Sequence, residues 1–122
     1  MQKTTIFLVL FIAFSFYSFW VYTDGTNTAS TTMSEKAIHG KVLYQKYNCT
    51  ACHQIYGLGG YLGAELTDIL SKPGRNPEFL KAMIQSGARQ MPQYGLTDEE
   101  CDDLIAFIQY VNDCSPNYKK SR

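Results

Sequence analysis

The sequence predicts an all-α protein: a single amino-terminal transmembrane helix followed by a small helical domain. An uncharged apolar segment near the amino terminus indicates the first helix. Later segments repeat apolar residues at three-to-four spacing and begin with helix-capping residues, while none alternates as a strand does. The 122 residues are enough for one domain, and the 11 acidic and 11 basic residues balance, so bulk charge indicates no nucleic-acid partner.

The segment from Thr4 to Thr23 is long enough to span a bilayer. Twenty helical residues cover about 30 Å, the thickness of the hydrocarbon core. A cleaved signal peptide is the alternative, but its apolar region would be about 7–15 residues long and would end at a small-x-small site. No such site follows here, so residues 1–23 are predicted to be a retained anchor. Lys3 favours a cytoplasmic amino terminus.

Small polar residues without any pattern occupy positions 24–33 and predict a flexible linker. A random coil of this length reaches only about 15–20 Å, so we expect the following domain to stay near the bilayer surface. That domain is predicted to occupy residues 34–114, and residues 115–122 are predicted to form a tail.

Two helices of the domain have clear boundary signals. Ser34 is predicted to cap a helix that ends near Tyr47. Asn76 is predicted to cap a second helix, with Pro77 at its first position, and Gly87 is predicted to end it.

Two further helices are predicted with weaker signals. One is short and covers residues 65–71, and the last extends from its cap at Thr97 to about Asn112. Its first turns hold five acidic residues: Asp98, Glu99, Glu100, Asp102 and Asp103. Negative charge is favourable at the positive end of a helix dipole, which explains the cluster. A docking patch for a basic donor protein is the alternative.

The motif Cys-Thr-Ala-Cys-His has the C-x-x-C-H spacing of c-type haem attachment. Cys49 and Cys52 would each form a thioether with one vinyl group, and His53 would then be the proximal iron ligand. A structural zinc site would need four ligands, and Cys101 and Cys114 are too far apart to form a second pair. A thioredoxin-like motif would lie beside a βαβ unit, which the helical pattern excludes.

The second axial ligand of the iron is predicted to be Met91. Pro92 follows it, and a residue before proline avoids helical geometry, so Met91 should lie on a loop before the last helix. Met83 has core spacing within a helix, so we expect it to pack in the core. His39 lies on the helix before the motif, where we expect an exposed residue. Methionine opposite histidine suits electron transfer and disfavours a gas sensor or peroxidase with an open site.

The chain resembles a known family from the motif onward. CTACHQIYGLGGYLGAELT resembles the attachment segment of the cytochrome c subunit of bacterial nitric oxide reductase, and MPQYGLTDEECDDLIAFIQYVN resembles the closing stretch of that family. Gly40 and Tyr44, with Leu104 and Phe107, resemble the crossed helix pair of class I cytochromes c. The resemblance therefore implies a class I cytochrome c-like domain with one covalent haem.

The resemblance also implies a function in the bacterial cytoplasmic membrane, with the haem domain on the periplasmic side. The chain would accept electrons from a soluble periplasmic donor, either a cytochrome c or a copper protein. It would pass them to a large polytopic haem-containing membrane subunit that reduces nitric oxide, and would perform no bond chemistry itself. A tethered electron shuttle to another terminal oxidase is the alternative.

An interfacial calcium ion is a further implication of the resemblance. In the family, oxygens of a loop glycine and a tyrosine help hold calcium against the catalytic subunit, and the matching positions here are Gly59 and Tyr61. A plain glycine turn packed by a tyrosine is the alternative. The chain departs from the family pattern at Leu58, where glutamate is usual, and at Ala64, where proline is usual.

Overall fold

The computed structural model describes residues 1–24 and 32–120, with side chains described as far as Ser115. The chain divides into two compact units, Met1–Thr32 and Met33–Arg122. The first unit contains helix α1, and the second contains the other three helices: α1 is Gln2–Asp24, α2 is Glu35–Lys46, α3 is Pro77–Ser86 and α4 is Asp98–Lys120. The prediction of an all-α fold is confirmed.

Helix α1 has the length and composition of a membrane span. It contains 23 residues with a mean hydropathy of 2.0 in its most apolar window. None of its residues is buried within the described part of the chain, which leaves its apolar side chains free for lipid. The predicted linker lies almost entirely outside the described residues, which resume at Thr32.

The caps of the domain's helices follow the predicted residues. The Ser34 hydroxyl accepts a hydrogen bond from a first-turn amide of α2 at 3.2 Å. At α3, Asn76 accepts one from the Phe79 amide at 2.9 Å. At α4, the Thr97 hydroxyl accepts from the Glu100 amide at 3.2 Å, and the Glu100 carboxylate accepts from the Thr97 amide at 3.0 Å. This reciprocal capping box fixes the start of α4.

The segment predicted as a short helix over residues 65–71 is mostly irregular. Only Ile69–Ser71 forms a turn, of the 3-10 type. Thr67 is buried, and its hydroxyl accepts a hydrogen bond from the Tyr56 amide at 2.7 Å and donates one to Glu65 at 3.0 Å. These tertiary bonds replace helical ones, so the helix prediction was wrong for most of this segment.

Two other details differ from the predictions. A minimal antiparallel hairpin, β1 (Gln54–Ile55) and β2 (Leu58–Gly59), follows the C-x-x-C-H motif. Helix α4 continues past the predicted end at Asn112 to Lys120. Ser115, in the first of the added turns, is only 3% exposed, so burial against the domain stabilises that turn.

The core of the domain is centred on the crossing of α2 and α4. Gly40 brings the two backbones together: a β-carbon built on it would lie 1.9 Å from the Asp103 carbonyl oxygen. One turn later, the Tyr44 and Phe107 rings pack with centroids 5.5 Å apart. The crossed helix pair expected from the resemblance is therefore present.

The acidic residues at the start of α4 do not form one solvated cluster. Asp103 is buried, and its carboxylate lies 2.7 Å from Nδ1 of His39 on α2. Asp102 accepts a hydrogen bond at 2.7 Å from Lys81 on α3. The helix-dipole explanation thus covers the first turn, whereas Asp102 and Asp103 link α4 to its neighbours. His39 is exposed, as expected, and its bond to Asp103 is a contact that the sequence did not predict.

We predict that Gly40→Ala destabilises the domain. Replacing glycine by alanine in an exposed helix interior normally raises the free energy of unfolding by about 0.5–1 kcal/mol. At position 40, however, the added methyl group would overlap a backbone carbonyl. Forcing the helices apart should instead lower the free energy of unfolding by about 1–3 kcal/mol. Chemical denaturation of the detergent-solubilised chain measures this change.

Lys41→Ala is the matched control because Lys41 is exposed on the same helix. It should change the free energy of unfolding by less than about 0.5 kcal/mol. Equal stability of the Gly40 and Lys41 variants would show that the crossing tolerates a side chain.

Candidate haem-binding pocket

An open pocket lies against the α2–α4 crossing. The pocket and its mouth together enclose about 650 Å3 of space. Its lining is almost entirely apolar, and it includes residues from all three helices of the domain and from the connecting segments: Tyr44, Cys49, His53, Ala64, Leu66, Ile69, Arg75, Phe79, Leu80, Met83, Ile84, Met91, Leu104 and Ile108. A flat, largely apolar group with a polar edge is the type of ligand that such a lining suits.

The C-x-x-C-H motif forms a tight turn at one wall of this pocket. Cys49–Ala51 is a 3-10 turn, and the Cys49 carbonyl accepts hydrogen bonds from the amides of Cys52 at 3.2 Å and His53 at 2.9 Å. Cys49 and His53 line the pocket, while Cys52 is half-buried in the same turn. Burial raises the pKa of the Cys49 thiol; a backbone hydrogen bond opposes this and the nearby Cys52 adds to it. The Cys49 thiol is therefore neutral, which suits an apolar porphyrin edge.

The His53 ring has a fixed tautomer. Its Nδ1 lies 2.7 Å from the carbonyl oxygen of Ala64. A carbonyl can only accept, so Nδ1 carries a proton, and in the neutral ring Nε2 is then the nitrogen with a free lone pair. This is the arrangement in which protein histidines bind metal ions, the second nitrogen being held by a hydrogen bond.

The glycine-rich segment packs directly on the motif. The Gly60 amide donates to the Thr50 carbonyl and the Gly63 amide to the Cys52 carbonyl, both at 2.8 Å. A β-carbon on Gly63 would lie 2.4 Å from Cε1 of His53. Gly63 thus has no side chain because the imidazole fills that space.

Two thioethers line the same pocket. Met91 is half-buried on the loop between α3 and α4, as predicted, and Met83 lies on α3. Met91 and Ala88 form a short antiparallel bridge, with the Met91 amide donating to the Ala88 carbonyl at 2.7 Å. The expectation that Met83 only packs in the core is incomplete, because its side chain faces the same space.

Two polar groups fit a ligand with carboxylates at its edge. Arg75 is the charged residue of the lining, and its guanidinium lies 4.7 Å from the Phe79 ring centroid. The buried Tyr44 hydroxyl has no hydrogen-bond partner within the described structure. Burial, followed by the effect of Cys49, raises the pKa of Tyr44 to about 12, so it is a neutral donor. The donors and lining therefore fit a haem, with sulfur and imidazole groups around an apolar space.

Comparisons with known proteins agree with this geometry. Residues 35–108 match the family described as cytochrome C oxidase, cbb3-type, subunit III. The C subunit of nitric oxide reductase from Halomonas halodenitrificans is 33% identical, covering 87% of this chain and 78% of that protein. Its counterpart from Stutzerimonas stutzeri is 27% identical, covering 91% and 84%, and that from Paracoccus denitrificans is 28% identical, covering 86% and 77%.

The chain belongs to the family of nitric oxide reductase C subunits. It is thus an electron-transfer subunit of the cytochrome c type, and the family implies haem c as its cofactor. Helix α1 could cross the membrane with which this family is associated.

The positions matched to the family's calcium ligands lie on the surface beside the motif. Tyr61 is 88% exposed, so it does not pack over the glycine turn. A β-carbon on Gly59 would lie 2.1 Å from the His53 carbonyl oxygen. In the described parts of the chain, no three His, Cys, Asp or Glu residues group as a metal site. Leu58 (77% exposed), Tyr61 and Leu62 (71%) instead form an exposed apolar surface, named here the loop patch.

Several pocket residues were missed from the sequence. The Ala64 carbonyl fixes the His53 tautomer, but a backbone oxygen has no sequence signature. Arg75 follows a Pro-Gly turn and gave no signal of its own. Met83 was visible as part of an apolar helix stripe, and periodicity cannot distinguish a pocket lining from a packed core.

We predict that Gly63→Ala disturbs the proximal side of the haem-loaded protein. The added methyl group would overlap the His53 ring, which must move and lose its bond to the Ala64 carbonyl. We expect a shifted low-spin absorption spectrum and a stability loss of about 1–3 kcal/mol. Absorption spectra and denaturation of the purified protein measure both.

Gly74→Ala is the control for this experiment. Gly74 has a positive φ of 73°, which Gly63 does not, but nothing lies within 4 Å of a β-carbon added to Gly74. The absorption spectrum of the Gly74→Ala protein should equal that of the parent, although alanine in a left-handed conformation lowers the free energy of unfolding. A Gly63→Ala protein with the parental spectrum would show that the imidazole is not held by this contact.

Proposed function

We propose that this chain carries one haem c, bound covalently through Cys49 and Cys52, with His53 and Met91 as the axial ligands of its iron. The observation that carries the proposal is the His53 imidazole, whose Nδ1 is bonded to the Ala64 carbonyl at 2.7 Å and whose Nε2 is therefore available to a metal. Support also comes from the pocket, since Cys49, His53 and Met91 line the same space.

The protein's residues have three tasks in this proposal. The apolar lining excludes water and disfavours the positive charge that the oxidised haem carries. Together with a thioether ligand, it therefore raises the reduction potential of the haem. Arg75 and the Tyr44 hydroxyl offer a cation and a donor to the carboxylates at the porphyrin edge. His53 and Met91 would both bind the iron, which would leave no open site for a gas. The bound haem supplies a one-electron redox centre.

The chain's proposed role is to relay electrons to a nitric oxide reductase. It takes single electrons from a soluble periplasmic donor, a cytochrome c or a copper protein, and delivers them to the haem-containing catalytic subunit. The catalytic partner combines two NO, two electrons and two protons to give N2O and water. Membership of the family supports this role. The relatives' membrane association and the long apolar α1 support a single-pass anchor. The proposed orientation, with a cytoplasmic amino terminus and a periplasmic haem domain, rests on Lys3.

The loop patch is the proposed contact with the catalytic subunit. It is apolar and exposed, and the neighbouring amides of Gly60 and Gly63 bond to the C-x-x-C-H turn, so docking here would bring the haem edge close to the partner. A calcium ion at this contact would take oxygens from Gly59 and Tyr61. Calcium requires 6–8 oxygen ligands, so the partner would have to supply most of them.

We predict that Met91→Ala opens the sixth coordination position of the haem. The far-red sulfur-to-iron band of the oxidised protein should disappear, the reduced protein should bind carbon monoxide, and the reduction potential should fall. Absorption spectroscopy and a redox titration of the purified chain measure these changes.

Met83→Ala is the matched control, because Met83 is a second half-buried methionine lining the same pocket. It should keep the far-red band and exclude carbon monoxide. If the Met83 variant loses the band and the Met91 variant keeps it, the assignment of the axial ligand is reversed.

We predict that Tyr61→Glu slows electron delivery within the isolated complex. A carboxylate in the apolar contact would be desolvated on docking, at a cost of several kcal/mol, so NO consumption should fall at least about tenfold. Tyr61 is preferable to Gly59 for this test, because any side chain at Gly59 would collide with the His53 carbonyl and disturb the motif. Covalent haem content should stay at the parental level.

Val42→Glu is the control for the docking test, because Val42 is apolar and 52% exposed but lies on α2 and not in the loop patch. It should consume NO at the parental rate. Parental turnover by the Tyr61 variant would refute the docking assignment. Failure to isolate any large subunit with this chain in mild detergent would favour the tethered shuttle to another oxidase.

A further inference from the structure

The loop that holds Met91 has little internal means of fixing its position in the pocket. The bridge between Ala88 and Met91 defines the local shape of the loop only. Gly87 ends α3 and the buried Leu96 precedes α4, so the loop is anchored at its two ends. What places its middle against the pocket must come from contacts with another element.

Tyr94 makes such a contact. Its ring packs on that of Tyr47 with centroids 5.2 Å apart and planes at 59°. Tyr47 is the C-cap of α2 and lies two residues before Cys49, so the ring pair joins the Met91 loop to the attachment turn. The Lys46 ammonium lies 5.3 Å from the centroid of the Tyr47 ring. Both rings pack against the core cluster.

The location of Tyr94 in the loop suits this link. Tyr94 is half-buried and lies three residues after Met91. Its ring therefore connects the segment that carries Met91 to the end of α2.

A loop ligand needs such a support more than a helical one does. Met83 lies on α3, where the backbone is fixed, whereas Met91 lies on a loop and shares the same pocket. We propose that Tyr94, through its ring contact with Tyr47, is a positioning residue that holds the Met91 thioether in the pocket that it shares with His53. This role rests on the proposed ligation by Met91 and goes beyond it, since Tyr94 does not bind the iron.

The size of the effect follows from the ring contact. Aromatic pairs contribute a modest free energy beyond area burial. Losing the pair should therefore raise the population of the state in which the Met91 loop has moved out of the pocket by about threefold to tenfold. Carbon monoxide competes with Met91 for the reduced iron, so its apparent affinity rises in proportion to that population. Removing the contact should raise the affinity for carbon monoxide by the same factor.

The test uses the full-length, haem-loaded chain in a Met83→Ala background, so that the second thioether cannot replace Met91. Tyr94→Leu keeps apolar volume without a ring and should raise the carbon monoxide affinity about threefold to tenfold while weakening the far-red band. Tyr94→Phe keeps the ring and should match the parent. Tyr47→Leu should raise the carbon monoxide affinity by the same factor as Tyr94→Leu. The double variant should raise it little further, because both substitutions remove the same contact.

Tyr110→Leu separates positioning from general stability. Tyr110 is a half-buried tyrosine on α4 outside the pocket lining. The Tyr110→Leu substitution should lower the free energy of unfolding while leaving the affinity for carbon monoxide unchanged. The positioning role is overturned if Tyr94→Leu keeps the parental affinity and band, if Tyr94→Phe behaves like Tyr94→Leu, or if the Tyr47 and Tyr94 effects simply add.

The failure of the underlying ligation would look different. If Met83→Ala alone abolishes the far-red band, or if Met91→Ala leaves it intact, the assigned axial ligand is wrong. If Met91→Ala opens the iron and Tyr94→Leu does not, the ligand assignment stands and only the positioning role fails.

Discussion

The close crossing of α2 and α4 is the constraint on which the rest of the domain depends. At Gly40 the two backbones approach so closely that a single methyl group would overlap the Asp103 carbonyl. This approach brings Tyr44 onto Phe107 and allows Asp103 to bond His39. The crossing thus fixes the floor of the pocket, because Tyr44 and the apolar face of α4 both line it. A wider crossing would move these walls relative to each other.

Backbone contacts, more than side-chain contacts, build the wall that holds the imidazole. The glycine-rich segment folds onto the C-x-x-C-H turn through amide-to-carbonyl hydrogen bonds, and the Ala64 carbonyl fixes the His53 tautomer. Glycine at position 63 is required because the imidazole occupies the space of its missing side chain. The departure of Ala64 from the family's usual proline does not disturb this arrangement, since either residue offers the carbonyl oxygen that accepts the bond.

The two sides of the pocket differ in how firmly they are held. His53 lies on a turn fixed by several backbone hydrogen bonds, whereas Met91 lies on a loop whose link to α2 is the ring contact between Tyr94 and Tyr47. In the proposed haem site, Met91 is therefore the more adjustable of the two iron ligands. Changes in its loop would alter the redox centre while leaving the C-x-x-C-H turn in place.

The sequence alone determined the features that depend on local chemistry. Helix caps at Ser34, Asn76 and Thr97 were predicted because a cap depends on a few neighbouring residues, and the all-α class followed from periodicity. The family was predicted from the C-x-x-C-H motif and its glycine-rich continuation, and the comparisons confirmed it. Cys49 and His53, which line the pocket, were predicted as haem-binding residues because attachment chemistry requires a fixed spacing.

Only the tertiary structure decided the features that depend on residues distant in sequence. Thr67 bonds the Tyr56 amide, so the segment around it is not the helix that its sequence predicted. Asp103 is a buried partner of α2 and not a solvated acid, since the crossing brings a histidine to it. Met83 lines the pocket beside Met91 because α3 packs on that side. Each of these contacts joins segments far apart in the chain, and local patterns carry no information about such pairings.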